Sequence, residues 1–401
     1  MKIRSITVFA DLDSTLDGAQ LAALGAFARA ARDAYVDAGF EVQTLRLAAN
    51  VVSTLRASPQ ADRPVDFAVT LDALTAEHGF AYVALGPADA ALLPRLPEIF
   101  AATKSIFATA HIVDPQTSAI DGAAIRASAD VIRRCAAIED GFGNLRFAAL
   151  ANVGPGTPFF PAAYHDGGPP AFAIATQAAD LAVDACQNAD SVADAHDNLV
   201  TALEREGMRL VAVAERLANK HGLRFGGIDF SPAPYPDPAI SIGAALERLS
   251  GQPLGAPGTL TAAATLASAL DEADFPHAGF CGMMMPVLED PILAQRAAEG
   301  RYGVGELLQW SAVCGTGLDT VPLPGDASTD ALARVLFDVA ALSVRLRKPL
   351  TARLMPLPGK SAGDPAHFDF AYFADGGVLA LPGDDKRGLL EETDALALVE
   401  K

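Results

Sequence analysis

Ile3-Arg-Ser-Ile-Thr-Val-Phe9 is a short apolar run. Residues 16–38 follow it, with apolar side chains at three- and four-residue steps, and then comes a second short run, Val42-Gln-Thr-Leu-Arg-Leu47. Short apolar runs bounded by turn residues read as buried strands, and a period near 3.6 reads as an amphipathic helix. The same alternation continues down the chain. Strand candidates lie at residues 81–86, 106–113, 145–152, 171–176, 224–230 and 283–287, and helix candidates at 121–137, 191–221, 237–249, 259–270 and 329–344. Strand–helix–strand repeated this often predicts an α/β architecture with a largely parallel sheet, and the number of strands favours a closed β/α barrel.

The 401 residues are half hydrophobic and rich in alanine, which suits close-packed helices laid on buried strands. With no repeat, low-complexity linker or charge block to divide it, the chain reads as one large domain over 1–401, with a small C-terminal appendage from about 360. A net charge of -19 repels polyanions, so neither a nucleic acid nor an anionic membrane surface is an expected partner. The four cysteines, Cys135, Cys186, Cys281 and Cys314, show no C-x-x-C spacing, and no apolar run reaches bilayer length. These features predict a cytoplasmic protein without a disulfide framework or a structural zinc site.

Ser311-Ala-Val-Cys-Gly-Thr-Gly-Leu-Asp-Thr-Val-Pro-Leu-Pro-Gly-Asp-Ala-Ser328 reads as an irregular loop between two helices. Gly-x-Gly after Cys314 removes bulk beside a sulfur, which would let a ligand approach it. Packing is the competing role, since free cysteine is mostly a small buried hydrophobe. Asp319 and Asp326 flank the two prolines, and with Asp229 could present oxygens to a divalent cation. Capping of the next helix is the competing role for Asp326.

After the first strand, Asp11-Leu-Asp-Ser-Thr-Leu16 resembles the aspartate-nucleophile signature of haloacid dehalogenase-type phosphatases, with Asp11 attacking phosphorus, Asp13 as acid and base, and magnesium between them. The later lysine and acidic pair of that chemistry are missing. Gly383-Asp-Asp385 has no strand leading into it, so helix initiation by Asp11, Asp13 and Asp17 is the simpler account.

His165, in a Gly/Pro-rich loop, could shuttle a proton if it reached Cys314 or Asp319. Asp229 closes a strand before three spaced prolines, where it would serve as a proton-transfer partner or cap a turn. Lys348 and Arg353 form a cationic corner suited to an anion. Arg4 and Arg46 sit within strand candidates and must find partners if they point inward.

Several blocks, in order, are similar to the domain-of-unknown-function 711 family: Ile3-Arg-Ser-Ile-Thr7, Ser118-Ala-Ile-Asp121, Ala151-Asn152, Tyr164-His165-Asp-Gly167, Phe225-Gly-Gly-Ile-Asp229-Phe-Ser231, Gly258-Thr259, the cysteine segment, and Lys348 with Arg353 and Gly359-Lys360. The resemblance implies a pyruvate formate-lyase-like β/α barrel of about ten strands with surrounding helices. Glycyl-radical enzymes on that scaffold face a cysteine with a C-terminal glycine loop. Here Tyr372-Phe-Ala-Asp-Gly-Gly377 departs from that loop, so no glycyl radical is expected.

The resulting expectation is an enzyme using acid–base or thiolate chemistry on a small carboxylate or carbonyl metabolite. Cys314, His165 and Asp229 are its catalytic candidates, and Arg46, Asn152, Ser231, Thr259, Lys348 and Arg353 its substrate contacts. A non-catalytic metabolite sensor is the alternative and the phosphatase a second one. The alanine-rich helices are compatible with a homo-oligomer.

Overall fold

β1 (Lys2–Phe9) and β2 (Val42–Ala48) pair in parallel, Ile6 opposite Leu45 and Val8 opposite Leu47, and the helix Gly18–Asp37 joins them. The computed structural model describes residues 1–58, 60–383, 386 and 388–398. The strands that follow as far as residue 357 are β3 (Tyr82–Pro87), β4 (Ile106–His111), β5 (Ile120–Asp121), β6 (Phe147–Ala151), β7 (Ala171–Gln177), β8 (Arg224–Asp229), β9 (Gly317–Pro324) and β10 (Leu350–Leu357). All but β5 join one nine-stranded sheet in the order β8-β7-β1-β2-β3-β4-β6-β10-β9.

The run β1-β2-β3-β4-β6 is parallel throughout. At its two ends β7 and β10 pair antiparallel to β1 and β6, and each carries a parallel neighbour, β8 and β9. The expected α/β alternation is therefore present, on a mixed sheet. A closed ten-stranded barrel is not among the described pairings. The eighth strand candidate, 283–287, forms no ladder. Residues 276–288 instead make isolated bridges, His277 to Ile228 of β8 and Pro286 to Asp319 of β9.

The segment 311–328 also departs from the expected loop, because β9 occupies its middle. Pro322 and Pro324 suggested a break, but β9 ends the sheet order and pairs in a ladder with β10 alone, where prolines without an N–H donor are tolerated. β10 was overlooked for the same kind of reason, since Arg353 and Pro356 interrupt its apolar character.

Helix starts follow local chemistry. Asp17, Asp121 and Ser191 accept backbone N–H bonds from Ala19, Ala124 and Asp194. Before the helix Thr329–Leu346 the capping side chain is Ser328, not Asp326. After β6 the chain folds inward: Pro158 offers its carbonyl to Ser5 Oγ at 3.3 Å and Thr7 Oγ1 at 2.9 Å, and Phe159, Phe160 and Tyr164 are buried. Phe147, Phe172 and Phe230 are fully enclosed, each contributing roughly 1.5–3 kcal/mol of burial.

Candidate functional site

A side chain on a strand alternates in direction with its neighbours, so a charged residue in a buried strand is carried inward with its register. Arg4 on β1, Arg46 on β2, Asp319 on β9 and Arg353 on β10 all line one cavity, joined by Glu289 just beyond the 276–288 segment. Its water-accessible volume is about 60 Å³. Tyr82, Phe107, Phe159, Phe160, Phe370 and Tyr372 supply aromatic walls, and Gln43 an amide.

Arg353 donates from Nε to Asp319 Oδ1 at 2.6 Å and from Nη2 to Glu289 Oε1 at 2.9 Å. The other Glu289 oxygen takes an ion pair from Arg4. Burial opposes the charge on Glu289, yet Arg4 and Arg353 outweigh it and hold its carboxyl below the usual range. Arg353 shows the reverse balance: burial disfavours its charge, and Asp319 and Glu289 overcome that penalty.

Arg46 differs. It is 5% exposed, yet among the described residues it has no carboxylate in ion-pair range. Its Nε donates to Thr44 Oγ1 at 2.9 Å, and its guanidinium lies 5.3 Å from the Tyr82 ring centre and 5.2 Å from that of Phe160. Burial, then repulsion from Arg4, lowers its pKa to about 9. The aromatic faces recover part of the lost hydration, together about 0.5–2 kcal/mol. An anion entering the cavity would meet a guanidinium whose donors are largely unspent.

Of the expected site residues, Arg46, Arg353 and Asp319 share this cavity and the others do not line it. Cys314 is 1% exposed within the hydrophobic core. Lys348, half-buried, donates to the Ala312 carbonyl at 3.2 Å; burial lowers its pKa and the nearby Cys314 opposes that. His165 meets the Gly168 carbonyl at 3.4 Å and Asp11 at 4.0 Å, rather than Cys314 or Asp319.

Asp229 is fully buried and accepts from Ser231 N, Ser231 Oγ, Phe280 N and Cys281 N at 2.6–3.1 Å. Burial raises its pKa despite those donors. Both of its oxygens are committed to shaping the 278–282 turn, and Ser231 in turn accepts from Gly282 N. The loop residue expected to move protons is thus tied down by backbone. Asn152 bonds Ser343 Oγ at 3.0 Å beside Arg347, and Thr259 bonds the Ala256 carbonyl at 2.9 Å at the head of its helix.

The proposed cation set does not assemble. Asp319 is spent on Arg353, Asp326 lines a different depression beside Ser328, and no described group of three His, Cys, Asp or Glu could hold a metal ion. Asp17 caps the helix Gly18–Asp37, as the capping account of that motif expects, whereas Asp13 accepts from Thr15 N at 2.8 Å in the turn before it. Asp384 and Asp385 lie outside the described residues.

Sequence reasoning placed the functional groups on loops at strand ends, whereas the cavity's charges sit mainly on the strands themselves. Glu289 and Gln43 were missed. The available signal was an arginine in each of two early strands, which demanded a carboxylate elsewhere in the chain.

The family model described as Uncharacterised ACR (DUF711) matches residues 1–371. A UPF0210 protein of Pyrobaculum islandicum is 33% identical over 349 residues, covering 81% of this chain and 76% of the relative. One of Methanopyrus kandleri is 30% identical over 309 residues, covering 74% and 67%, and one of Syntrophobacter fumaroxidans is 28% identical over 358 residues, covering 82% and 77%. The chain belongs to the DUF711 family. Among the described residues no helix is long and apolar enough to cross a membrane.

Proposed function

We propose that this member of the DUF711 family binds a small carboxylate or carbonyl metabolite in the Arg4–Arg46–Arg353 cavity and transforms it by acid–base rather than radical chemistry, in the cytoplasm. One observation carries the reading: Arg46 is buried with no carboxylate in ion-pair range among the described residues, Glu289 acting on it only from a distance. Burying an unpaired cation is costly, and a bound carboxylate supplies the missing partner through paired N–H···O bonds.

The groups available for proton transfer are the phenols of Tyr82 and Tyr372, which line the same space as the arginine-paired carboxylates Glu289 and Asp319. Thiolate chemistry at Cys314 finds no support in this cavity, which that residue does not line. The accompanying fold reading is a single domain built as a pyruvate formate-lyase-like barrel. In it residues 276–288 take the position between β8 and β9, supported by their bridges to both.

Titration calorimetry with acetate, pyruvate and butyrate on the full chain and on Arg46→Met tests the binding. Saturable binding lost in the variant is expected, and equal behaviour of the two proteins would refute it. Turnover of a bound acid by the wild type is the expected second result. Binding to every acid tried with none consumed from a metabolite extract would replace the enzyme with a sensor.

A further inference from the structure

The cavity also constrains what kind of acid it takes. Arg4, Arg46 and Arg353 stand against Glu289 and Asp319, so three guanidinium groups against two carboxylates leave one positive charge uncompensated. Both carboxylates are already engaged by arginines, and the surplus is localised on Arg46. One negative charge balances the site. A dianion would leave an excess charge buried, which low-dielectric surroundings penalise.

Gln43 adds a second constraint. It sits on β2 in the cavity wall, and its Oε1 is buried with no hydrogen-bond partner. The amide makes no other hydrogen bond among the described residues, so exchanging its oxygen and nitrogen would leave it equally unsatisfied. Leaving such a group unpaired is costly, because its lost hydration is not repaid. A hydroxyl satisfies the amide in either orientation, because it both donates and accepts.

Size is the third constraint. About 60 Å³ of water-accessible space corresponds to on the order of five water positions, the scale of a three- or four-carbon acid. The aromatic walls favour an apolar remainder over a second charged end.

We infer that the ligand is a small hydroxylated monocarboxylate, its carboxylate on Arg46 and its hydroxyl on Gln43. This rests on the anion-binding reading above and narrows it. Gln43 becomes a specificity-determining residue, and the charge balance becomes the filter against dicarboxylates and phosphate.

The test is calorimetry on the full chain near neutral pH with butyrate, 2-hydroxybutyrate, succinate and inorganic phosphate. 2-Hydroxybutyrate should bind about 5–20-fold tighter than butyrate, the range expected of one hydrogen bond to an otherwise unpaired buried group. Succinate and phosphate should bind at least about 10-fold more weakly than 2-hydroxybutyrate. Gln43→Leu should erase the hydroxyl preference, so that 2-hydroxybutyrate and butyrate bind that variant within about twofold of each other.

Gln43→Glu, nearly the same shape, should weaken both monoanions at least about 10-fold by cancelling the surplus charge. Butyrate binding that depends on Arg46 but gains nothing from the hydroxyl would overturn this inference alone. So would tighter binding of succinate or phosphate, or a hydroxyl preference that survives Gln43→Leu. Absence of binding by all four probes would overturn the anion-binding reading with it. If neither Gln43 variant folds, the wild-type ranking of the four probes still decides.

Discussion

Replacing Arg46 by methionine should make this protein more stable while abolishing ligand binding, the reverse of what most buried substitutions do to stability. Folding pushes the guanidinium down from its ordinary range to about 9, mainly through burial, so holding its charge costs about 5 kcal/mol at neutral pH. Methionine keeps the length and apolar stem without that cost. It forfeits the contacts with Tyr82 and Phe160, about 0.5–2 kcal/mol together, and the hydrogen bond to Thr44, about 1 kcal/mol. The net expectation is a gain of about 2–3 kcal/mol, or about 3 °C in Tm for a chain of this length.

The pH dependence has a definite sign. A cation whose pKa is depressed by folding penalises the fold in full below about 9, and the penalty fades as pH rises above about 9 toward the ordinary guanidinium range. The stability advantage of Arg46→Met should therefore be constant from neutrality to about pH 8 and shrink above about 9. Thermal and urea unfolding across that range measure it. A variant destabilised by more than about 1 kcal/mol at neutral pH would refute the reasoning, because Arg46 would then be part of the scaffold rather than a charge awaiting a ligand.

Three other outcomes follow from neighbouring geometry. Glu289→Gln removes the carboxylate shared by Arg4 and Arg353, so it should cost about 3–5 kcal/mol in urea unfolding at neutral pH. Glu289 is held below its ordinary 4.5, so its contribution is present above about 4.5 and is lost as pH falls through the lower folded value; the gap between wild type and variant should close in acid. Asp229→Asn places amide hydrogens against backbone donors that now bond both carboxylate oxygens, and should destabilise by about 2–3 kcal/mol, with equal stability in chemical unfolding as the contrary result. Gly282→Ala would press a methyl against Gly315, with its N at 2.7 Å, and should cost about 1–3 kcal/mol; a neutral substitution would show that the two segments part readily.

Much of the fold is legible in the sequence because its signals are local. Seven of the eight strand candidates correspond to strands of the main sheet, since a buried strand and its following helix announce themselves within one stretch of chain. β9 and β10 escaped because prolines and arginines broke the apolar pattern; the prolines are tolerated because β9 ends the sheet order and Pro356 of β10 lies beyond the residues paired with β6. The cysteine segment drew attention through composition, yet Cys314 is packed in the core while Asp319, five residues on, reaches the cavity.

By itself the sequence determined the α/β alternation, the family and the presence of arginines inside strands, all properties of residues near one another or of ordered blocks. Tertiary structure alone decided which arginine has a partner. Arg4 finds Glu289 across 285 positions of chain, Arg353 takes Glu289 and Asp319, and Arg46 is left with no carboxylate in ion-pair range among the described residues. Charge pairing depends on distance in space and on exclusion of water, and neither is written in the spacing of residues along the chain.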